Sequence, residues 1–242
     1  MANPSKIQAE VVSVEAFGSE VFEIKMKPLS RVPRFKAGQF LHLTINEYDP
    51  LGGFWPESRV FSIASRFGAE TIAIVYSVKG VYTKRMRDFL APGKTVWLKF
   101  PYGDFVIESG VYSNDLVLVA GGSGVSPFIP FLENLVENPD ISNRVKLFYG
   151  IRDFQMCMFS SLYDRCEKAT ANFSYELWIE NGQAVHNAKT GRLDIESIYH
   201  ATKAFQDPLF FLSGPPVMIK NFKAGLLDLQ VDRDHIKTDE WE

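Results

Sequence analysis

The chain has 242 residues, of which 46% are hydrophobic and 23% are charged, and its formal net charge at neutral pH is −3. This length suits one large domain or two of ordinary size, and the nearly balanced charge argues against nucleic-acid binding, which needs a concentrated basic face. Because no run of about 18 apolar residues is present and the amino terminus lacks the apolar segment of a signal peptide, we expect a cytoplasmic protein without a membrane span.

The first half of the chain has the pattern of antiparallel strands. Stretches rich in Val, Ile, Phe and Thr, with short alternating segments and turn residues between them, cover residues 8–27, 39–46, 59–78 and 95–107. This pattern predicts successive antiparallel strands that form a small barrel. One helix is predicted over Tyr82–Leu90 and is ended by Ala91-Pro92-Gly93. We assign residues 1–109 to this first domain.

From Asp115 onward the predicted strands and helices alternate. Strands are predicted near 115–120, 144–150, 173–179, 208–213 and 234–238, and helices near 126–137, 159–168 and 215–229. Such alternation is typical of a parallel sheet with crossover helices. The second domain, an α/β domain, is therefore predicted over residues 110–242, because Ser, Gly and Asn interrupt the hydrophobic pattern at Glu108–Asn114.

The segment Leu116–Phe128 indicates a phosphate-binding turn, because an apolar strand runs into closely spaced glycines and then into a predicted helix. Glycines let a ligand approach the backbone, and the N–H groups at a helix start favour an anion. We predict Ser126 as the N-cap and Pro127 as the first helical residue. A plain tight connection is the alternative. The candidate ligand-binding residues are Gly121, Gly122, Ser123, Gly124 and Pro127.

A second candidate anion site opens the helix predicted at 82–90. The N–H groups at the start of this helix and the Thr83 hydroxyl could together bind a phosphate, although Thr83 could also be a simple helix cap. Two such sites imply two phosphorylated ligands. The candidate residues are Gly80, Val81, Tyr82 and Thr83.

Four short motifs occur along the chain in a characteristic order: Arg59-Val60-Phe61-Ser62, Gly80–Thr83, the glycine segment ending at Pro127, and Gly214-Pro215-Pro216 with Met218. Together with Pro101–Phe105, their order and spacing resemble the ferredoxin-NADP reductase superfamily over nearly the whole chain. The resemblance implies an antiparallel barrel that binds FAD, followed by a parallel α/β domain that binds a nicotinamide nucleotide. It also implies hydride transfer from that nucleotide to the flavin.

The resemblance assigns roles to the barrel motifs. Arg59 would hold the flavin pyrophosphate, a task that suits a guanidinium because it can pair bidentately with phosphate. Phe61 stands where the family usually stacks a Tyr on the isoalloxazine, and Ser62 matches the serine that hydrogen-bonds flavin N5. Gly80–Thr83 would bind the flavin pyrophosphate as well. An ordinary alternating strand is the alternative for Phe61 and Ser62.

The second half holds the motifs that the resemblance assigns to the nicotinamide nucleotide. The glycine segment would bind its pyrophosphate, and Gly214–Met218 would lie beside the nicotinamide. Many members have a Cys directly before this motif, where this chain has Ser213. Trp241 resembles the carboxy-terminal aromatic residue that covers the flavin and that the nicotinamide displaces, although it could equally be a frayed terminal residue. Ser62, Ser213 and Trp241 are therefore the candidate catalytic residues.

The choice between NADH and NADPH depends on the side chains that meet the adenosine ribose. A 2′-phosphate calls for Arg or Lys, whereas a free 2′-hydroxyl suits a carboxylate. Glu180 follows the third strand of the predicted α/β domain, where phosphate-selective relatives often carry a Ser-Arg pair. We therefore favour NADH, while Arg152 keeps NADPH open.

The chain has few residues for other chemistry. Cys157 and Cys166 are its only cysteines, too few for an iron–sulfur cluster, and its four histidines show no metal-ligand spacing. Electrons would therefore pass to a separate acceptor such as a ferredoxin, a flavodoxin or an oxygenase component. Residues 1–108 carry 14 Lys and Arg against 11 Asp and Glu, which permits a mildly basic surface for an acidic partner.

Two rival functions stay open at this point. One is a flavin reductase that treats flavin as a diffusible substrate, because Arg59–Ser65 fits that branch of the family as well. The other is a non-catalytic electron-relay or nucleotide-binding subunit, suggested by Ser213 and by the charge difference between the two halves.

Overall fold

Six antiparallel strands form a nearly closed barrel in the first half of the computed structural model, which describes residues 4–108, 113–181 and 188–240. The neighbour order is β4-β3-β6-β1-β2-β5, and a bridge between Ile63 and Ile74 brings the two end strands together. The predicted barrel is confirmed. Its strands are β1 (Ser5–Phe17), β2 (Val21–Pro28), β3 (Phe40–Thr44), β4 (Arg59–Ser62), β5 (Ile72–Ser77) and β6 (Thr95–Tyr102).

Two of the predicted strand segments each contain a turn and form two strands. Gly18 and Gly68 lie in these turns with φ of +68° and +89°, a conformation that favours glycine. The helix predicted at 82–90 is α1 (Val81–Phe89), which buries Tyr82 and Met86 against the barrel.

A six-stranded sheet forms the second half of the molecule. All of its strand pairs are parallel, and the neighbour order is β10-β9-β8-β7-β11-β12. The strands are β7 (Leu116–Gly121), β8 (Val145–Ile151), β9 (Phe173–Ile179), β10 (Lys189–Thr190), β11 (Leu209–Ser213) and β12 (Ile236–Thr238). The helices are α2 (Ile129–Glu137), α3 (Ser160–Ala169), α4 (Ile195–Ala201) and α5 (Pro216–Asp228).

One strand and one α-helix of this half were not predicted, namely β10 and α4. A strand of two residues and a helix of seven give too little periodicity to stand out in the sequence. Among the described residues, no helix is both long enough and apolar enough to cross a membrane.

The predicted start of the helix after the glycine segment is wrong. Gly122–Phe128 forms a 3-10 helix, and α2 begins only at Ile129. The Ser126 hydroxyl donates to the Ser123 carbonyl at 2.6 Å instead of capping a helix, and Pro127 is buried within the 3-10 helix. Pro130 occupies the first turn of α2. Proline is favoured there because a backbone N–H at this position would have no intrahelical acceptor.

The two domains share one apolar cluster. Ala73 and Val75 of β5 belong to the same cluster as Val125 and Ile129, which lie at the start of the α/β domain. Ile74 of the same strand points the other way, into the barrel core. Strand β5 is therefore buried on both faces, and the barrel packs directly against the segment that follows the glycine turn.

An ionic clamp reinforces this junction. Glu133 accepts the backbone N–H of Arg66 at 2.7 Å, and the Arg66 side chain pairs with Glu137 at 2.5 Å. Burial raises the pKa of Glu133, an effect that hydrogen bonding and the positive charge of Arg66 oppose. Because Arg66 follows β4 and both glutamates lie on α2, the clamp connects β4, which carries the candidate flavin-binding residues, to α2, the helix that follows the glycine segment. The predicted boundary between residues 109 and 110 lies outside the described residues.

Asp115 connects the amino-terminal ends of three parallel strands, β7, β8 and β11. Its carboxylate accepts the backbone N–H groups of Arg144 and Gln206 and the Nε of Arg144, all within 2.8 Å. Burial raises the pKa of Asp115, but the hydrogen bonds from Gln206 and Arg144 outweigh it and lower the pKa below its ordinary value.

Replacing Asp115 by asparagine should destabilise the protein by about 2–3 kcal/mol at neutral pH, because buried donors lose a charged acceptor. The midpoint of urea unfolding measures this change. The exposed Asp140 provides the matched control, since Asp140→Asn should leave the midpoint unchanged. Because the lowered pKa makes Asp115 stabilising above its unfolded pKa, the difference should shrink as the pH falls below about 4. Equal midpoints for the two variants at pH 7 would contradict the role of Asp115.

Candidate functional site

Two arginines and a tyrosine meet at the start of α1. The guanidinium of Arg59 lies 4.4 Å from the centre of the Tyr82 ring, and that of Arg85 lies 5.6 Å from it. The Tyr82 hydroxyl donates to the Glu57 carbonyl at 3.0 Å, so the ring is a fixed platform under both cations. Arg85 was not predicted, because its place in the site depends on the way α1 packs.

Thr83 caps the helix beside this platform. Its hydroxyl accepts the N–H groups of Lys79 at 2.9 Å and Gly80 at 3.0 Å, and it donates to the Gly80 carbonyl. The geometry therefore favours the capping interpretation of Thr83. The next N–H groups of α1 have no intrahelical acceptor by helix geometry, and the Val81 side chain is 80% exposed. This end of α1 thus offers backbone donors and two cations to an anion.

The flavin-stacking candidate Phe61 lies at the open side of the barrel. It is partly buried and meets the Tyr76 ring edge-to-face at 6.1 Å. Its neighbour Ser62 ends β4 opposite Phe40. Because successive side chains of a strand alternate, the Phe61 ring packs on the barrel core while Ser62 points to the other face.

Ser62 and Ser213 are brought together by a residue that the sequence did not single out. The Ser213 hydroxyl donates to Asp239 Oδ2 at 2.9 Å, and the Ser62 hydroxyl lies near enough to this carboxyl to help lower its pKa. The Asp239 N–H donates to the Leu212 carbonyl, which fixes the backbone. Asp239 is only 6% exposed, and burial raises its pKa to about 6 although both serine hydroxyls oppose the shift.

One sequence signal could have found Asp239. It follows the last strand of the parallel sheet, and Ser213 ends the neighbouring strand β11. Because the carboxyl ends of parallel strands lie at one edge, a polar side chain after β12 is a neighbour of Ser213. Trp241, the third catalytic candidate, lies outside the described residues.

The glycine turn packs directly against the Gly-Pro-Pro motif. A Cβ on Gly124 would lie 2.5 Å from the backbone of Gly214, and one on Gly121 would lie 2.7 Å from Met218 Sδ and 2.9 Å from Pro215. Gly214 takes φ +156° at this contact. Gly121 and Gly124 are therefore required by packing between the two loops.

Gly122 differs from its neighbours. It takes φ +55°, and a Cβ there would meet nothing within 4 Å, so its backbone is open to a ligand. Ser123 next to it connects to the barrel, because the Ser77 hydroxyl donates to the Ser123 hydroxyl at 3.4 Å. Pro215 and Pro216 are exposed at the start of α5 on the same side of the sheet.

Glu180, the candidate for contact with the adenosine ribose, lies exposed after β9 and forms an ion pair. Its Oε2 lies 3.1 Å from Nε of Arg192, a residue that the sequence reasoning missed. Its N–H donates to the Ile151 carbonyl, and the next N–H, of Asn181, donates to the Arg152 carbonyl. One carboxylate and two arginine residues therefore lie at the position predicted to select between NADH and NADPH.

The residues fit two phosphorylated cofactors. One anion site, with Arg59, Arg85 and the start of α1, lies on the barrel, and the other, with the open backbone of Gly122, lies at the carboxyl edge of the sheet. Ser62, Ser213 and Asp239 lie where the two halves meet. Within the described parts of the chain, no group of three or more His, Cys, Asp or Glu side chains is placed to hold a metal ion.

Comparisons with known proteins support this arrangement. A family model described as an FAD-binding domain matches residues 6–142, and one described as an oxidoreductase NAD-binding domain matches residues 118–224. The chain is 27% identical over 242 residues to the anthranilate 1,2-dioxygenase electron transfer component of Acinetobacter baylyi, covering 98% of this chain and 67% of that protein. Across three curated relatives it matches, the chain spans 38% to 67% of their length.

Solved structures share the fold. The cytochrome P450 reductase GcoB of Amycolatopsis superimposes with a TM-score of 0.81 at 19% identity, covering 98% of this chain and 70% of that chain. The ferredoxin NADP+ reductase of Neisseria gonorrhoeae gives a TM-score of 0.75 at 19% identity and covers 99% of each chain. An antiparallel barrel with an FAD-binding family signature and a parallel domain with an NAD-binding one are thus present in the expected order, and the chain belongs to the ferredoxin-NADP reductase superfamily.

Proposed function

We propose that this protein is an NAD(P)H-dependent flavoprotein reductase that passes a hydride from the nicotinamide nucleotide to FAD and electrons on to a separate acceptor. The observation that carries the proposal is the cluster of Ser62, Asp239 and Ser213, which joins the candidate flavin strand to the Gly-Pro-Pro motif. When bound, FAD supplies the chemistry, because it can take two electrons together and release them one at a time.

The barrel residues would bind and orient the flavin. The guanidinium groups of Arg59 and Arg85 and the N–H groups at the start of α1 supply positive charge for the two phosphates. Phe61 offers a flat apolar surface for the ring system. The Ser62 hydroxyl would contact the flavin ring from the end of β4, with the Asp239 carboxyl near it.

The α/β domain would place the nucleotide. Gly122 leaves room for a phosphate at the backbone, and the contact between Gly124 and Gly214 fixes the distance between the phosphate loop and the nicotinamide loop. The clamp of Arg66 by Glu133 and Glu137 holds α2 against the barrel. Positioning of this kind is the main contribution of a protein to a cofactor reaction.

Asp239 would hold a proton close to the meeting point of the two cofactors. A carboxyl with a pKa of about 6 exchanges protons near neutral pH, and its Oδ2 accepts from the Ser213 hydroxyl. Ser213, in place of a cysteine, thereby has a role in orienting this carboxyl.

A dioxygenase electron transfer component among the relatives supports an oxygenase component as the acceptor, and the superfamily supports a ferredoxin or a flavodoxin. Cys157 and Cys166 are free thiols, as expected in a reducing compartment, which supports a cytoplasmic location. A flavin reductase with diffusible flavin is the second candidate. It is favoured by the open phosphate site, in which the side chains of Arg59 and Arg85 are about half exposed.

Anaerobic titration with NADH and with NADPH tests the proposal. Purified protein should carry or take up FAD, and its flavin absorbance band should bleach with NADH faster than with NADPH, because Glu180 repels a 2′-phosphate. A flavin that neither nucleotide reduces would contradict the proposed function.

The pairing of Glu180 with Arg192 yields a sharper version of this test. Glu180→Gln removes the repulsion and releases Arg192 for a 2′-phosphate, so kcat/KM for NADPH should rise about tenfold relative to NADH. The exposed Glu196 provides the control, and Glu196→Gln should leave the ratio unchanged. If Glu180→Gln leaves the ratio of kcat/KM for NADPH to that for NADH unchanged, Glu180 does not contact the ribose.

Asp239→Asn should change the pH dependence of both stability and rate. Between about pH 4 and pH 6 the folded wild type binds a proton at Asp239 that the unfolded chain has lost, so wild-type stability falls as the pH rises through this window. Asparagine does not ionise, so the variant does not lose stability in this window. The free energy of unfolding of the variant minus that of the wild type should therefore rise by up to about 3 kcal/mol from pH 4 to pH 7. Urea unfolding at several pH values measures it.

The exposed Asp104 lies near Asp239 in the cleft between barrel and β12, and Asp104→Asn is the control for this series. In the same variants, the rate of flavin reduction should lose its inflection near pH 6 only when Asp239 is replaced. Parallel stability curves for Asp239→Asn and wild type would show that the carboxyl is ionised throughout.

A further inference from the structure

Glu57 places a carboxylate where the proposed function requires a phosphate. Its Oε1 lies 2.9 Å from Nη2 of Arg59, and its Oε2 lies 3.6 Å from Nη1 of Arg85. Each oxygen thus engages one of the two guanidinium groups that converge on the Tyr82 ring. The carboxylate occupies the position between the cations as an internal anion.

We propose that Glu57 competes with the flavin phosphates for Arg59 and Arg85, and thereby sets how tightly the protein holds phosphorylated flavins relative to riboflavin. This inference rests on the proposed function, because it takes these two arginines as the phosphate site. It bears directly on whether the flavin is retained or exchanged.

Each arginine has a partner besides Glu57. Arg59 also donates to the Ser58 carbonyl at 2.8 Å and lies over the Tyr82 ring. Arg85 also donates from Nη2 to Asn46 Oδ1 at 2.9 Å. Because each guanidinium has an independent partner, Glu57 is not needed to orient them, and its main effect is to neutralise their charge.

The Glu57 side chain is able to move away while its backbone stays in place. The Glu57 carbonyl accepts the hydroxyls of Thr44 at 2.8 Å and Tyr82 at 3.0 Å, which anchors the residue. Its side chain, by contrast, is 52% exposed. A phosphate that enters can therefore displace the carboxylate into solvent without disturbing the Tyr82 platform, and the displaced ion pairs are the cost of binding.

The size and selectivity of the effect follow from this exposure. Ion pairs at half-exposed sites are individually weak, so the expected change in affinity is about three- to tenfold. FAD and FMN carry phosphate and must compete with Glu57, whereas riboflavin carries none and does not.

The experiment measures dissociation constants of the deflavinated full chain for FAD, FMN and riboflavin by flavin fluorescence. Glu57→Gln should lower the dissociation constants for FAD and FMN about three- to tenfold and leave that for riboflavin unchanged. Glu47→Gln, which removes an exposed carboxylate from the same loop, is the matched control and should change none of the three.

Two results would overturn the inference. Weaker or unchanged binding of FAD by Glu57→Gln would mean that the carboxylate orients the arginines or stands outside the site. An equal change for riboflavin would mean that the effect does not involve phosphate. No nicotinamide nucleotide is present in these titrations, so a chain that binds flavin as expected but is reduced by neither nucleotide would refute the proposed function alone.

Discussion

The burial of β5 on both faces is the constraint on which the rest of the structure depends. Ile72 and Ile74 complete the barrel core, while Ala73 and Val75 of the same strand enter the cluster that covers the start of the α/β domain. One strand thus serves two cores. Because close-packed interiors resist deformation, this sharing holds the barrel and the start of the α/β domain in one arrangement.

Neither domain contains the whole candidate site. Ser62 comes from the barrel, whereas Ser213 and Asp239 come from the carboxyl edge of the sheet. The Asp239 carboxyl is buried next to both serines only when both domains are in place. The interface between the two domains therefore also brings the candidate site residues together. Within the α/β domain, the contact between Gly124 and Gly214 joins the glycine segment to the Gly-Pro-Pro motif.

The centre of the candidate site is buried, whereas its two ends are exposed to solvent. Asp239 is almost fully buried, whereas the side chains of Glu57 and Arg192 are 52% and 84% exposed and form ion pairs at the predicted phosphate and ribose ends. Exposed pairs are weak and easily exchanged. Burial thus fixes the proposed region of hydride transfer, whereas the side chains at the proposed binding regions for the charged ends of the cofactors stay adjustable.

The sequence by itself determined the two domain types, the order of the four motifs and the cofactor classes, and eleven of the twelve strands in the described residues overlap a predicted segment. These features are local, since hydrophobic period, turn glycines and short motifs each lie within a few residues. The start of α2 was missed because Ser126 and Pro127 fit a helix start and a 3-10 turn equally well until the packing of the turn decides between them.

Only the tertiary structure revealed Asp239, Arg85, Arg192 and Glu57 as parts of the candidate site. Each acts through a partner on another element: Asp239 meets Ser62 across the domain junction, Arg85 meets Glu57 from α1, and Arg192 meets Glu180 from beyond β9. A carboxylate or a guanidinium has no distinctive local pattern, and its role depends on burial and on the charge beside it. Those are properties of the packed chain, so the sequence indicated the two cofactors while the fold decided which side chains surround them.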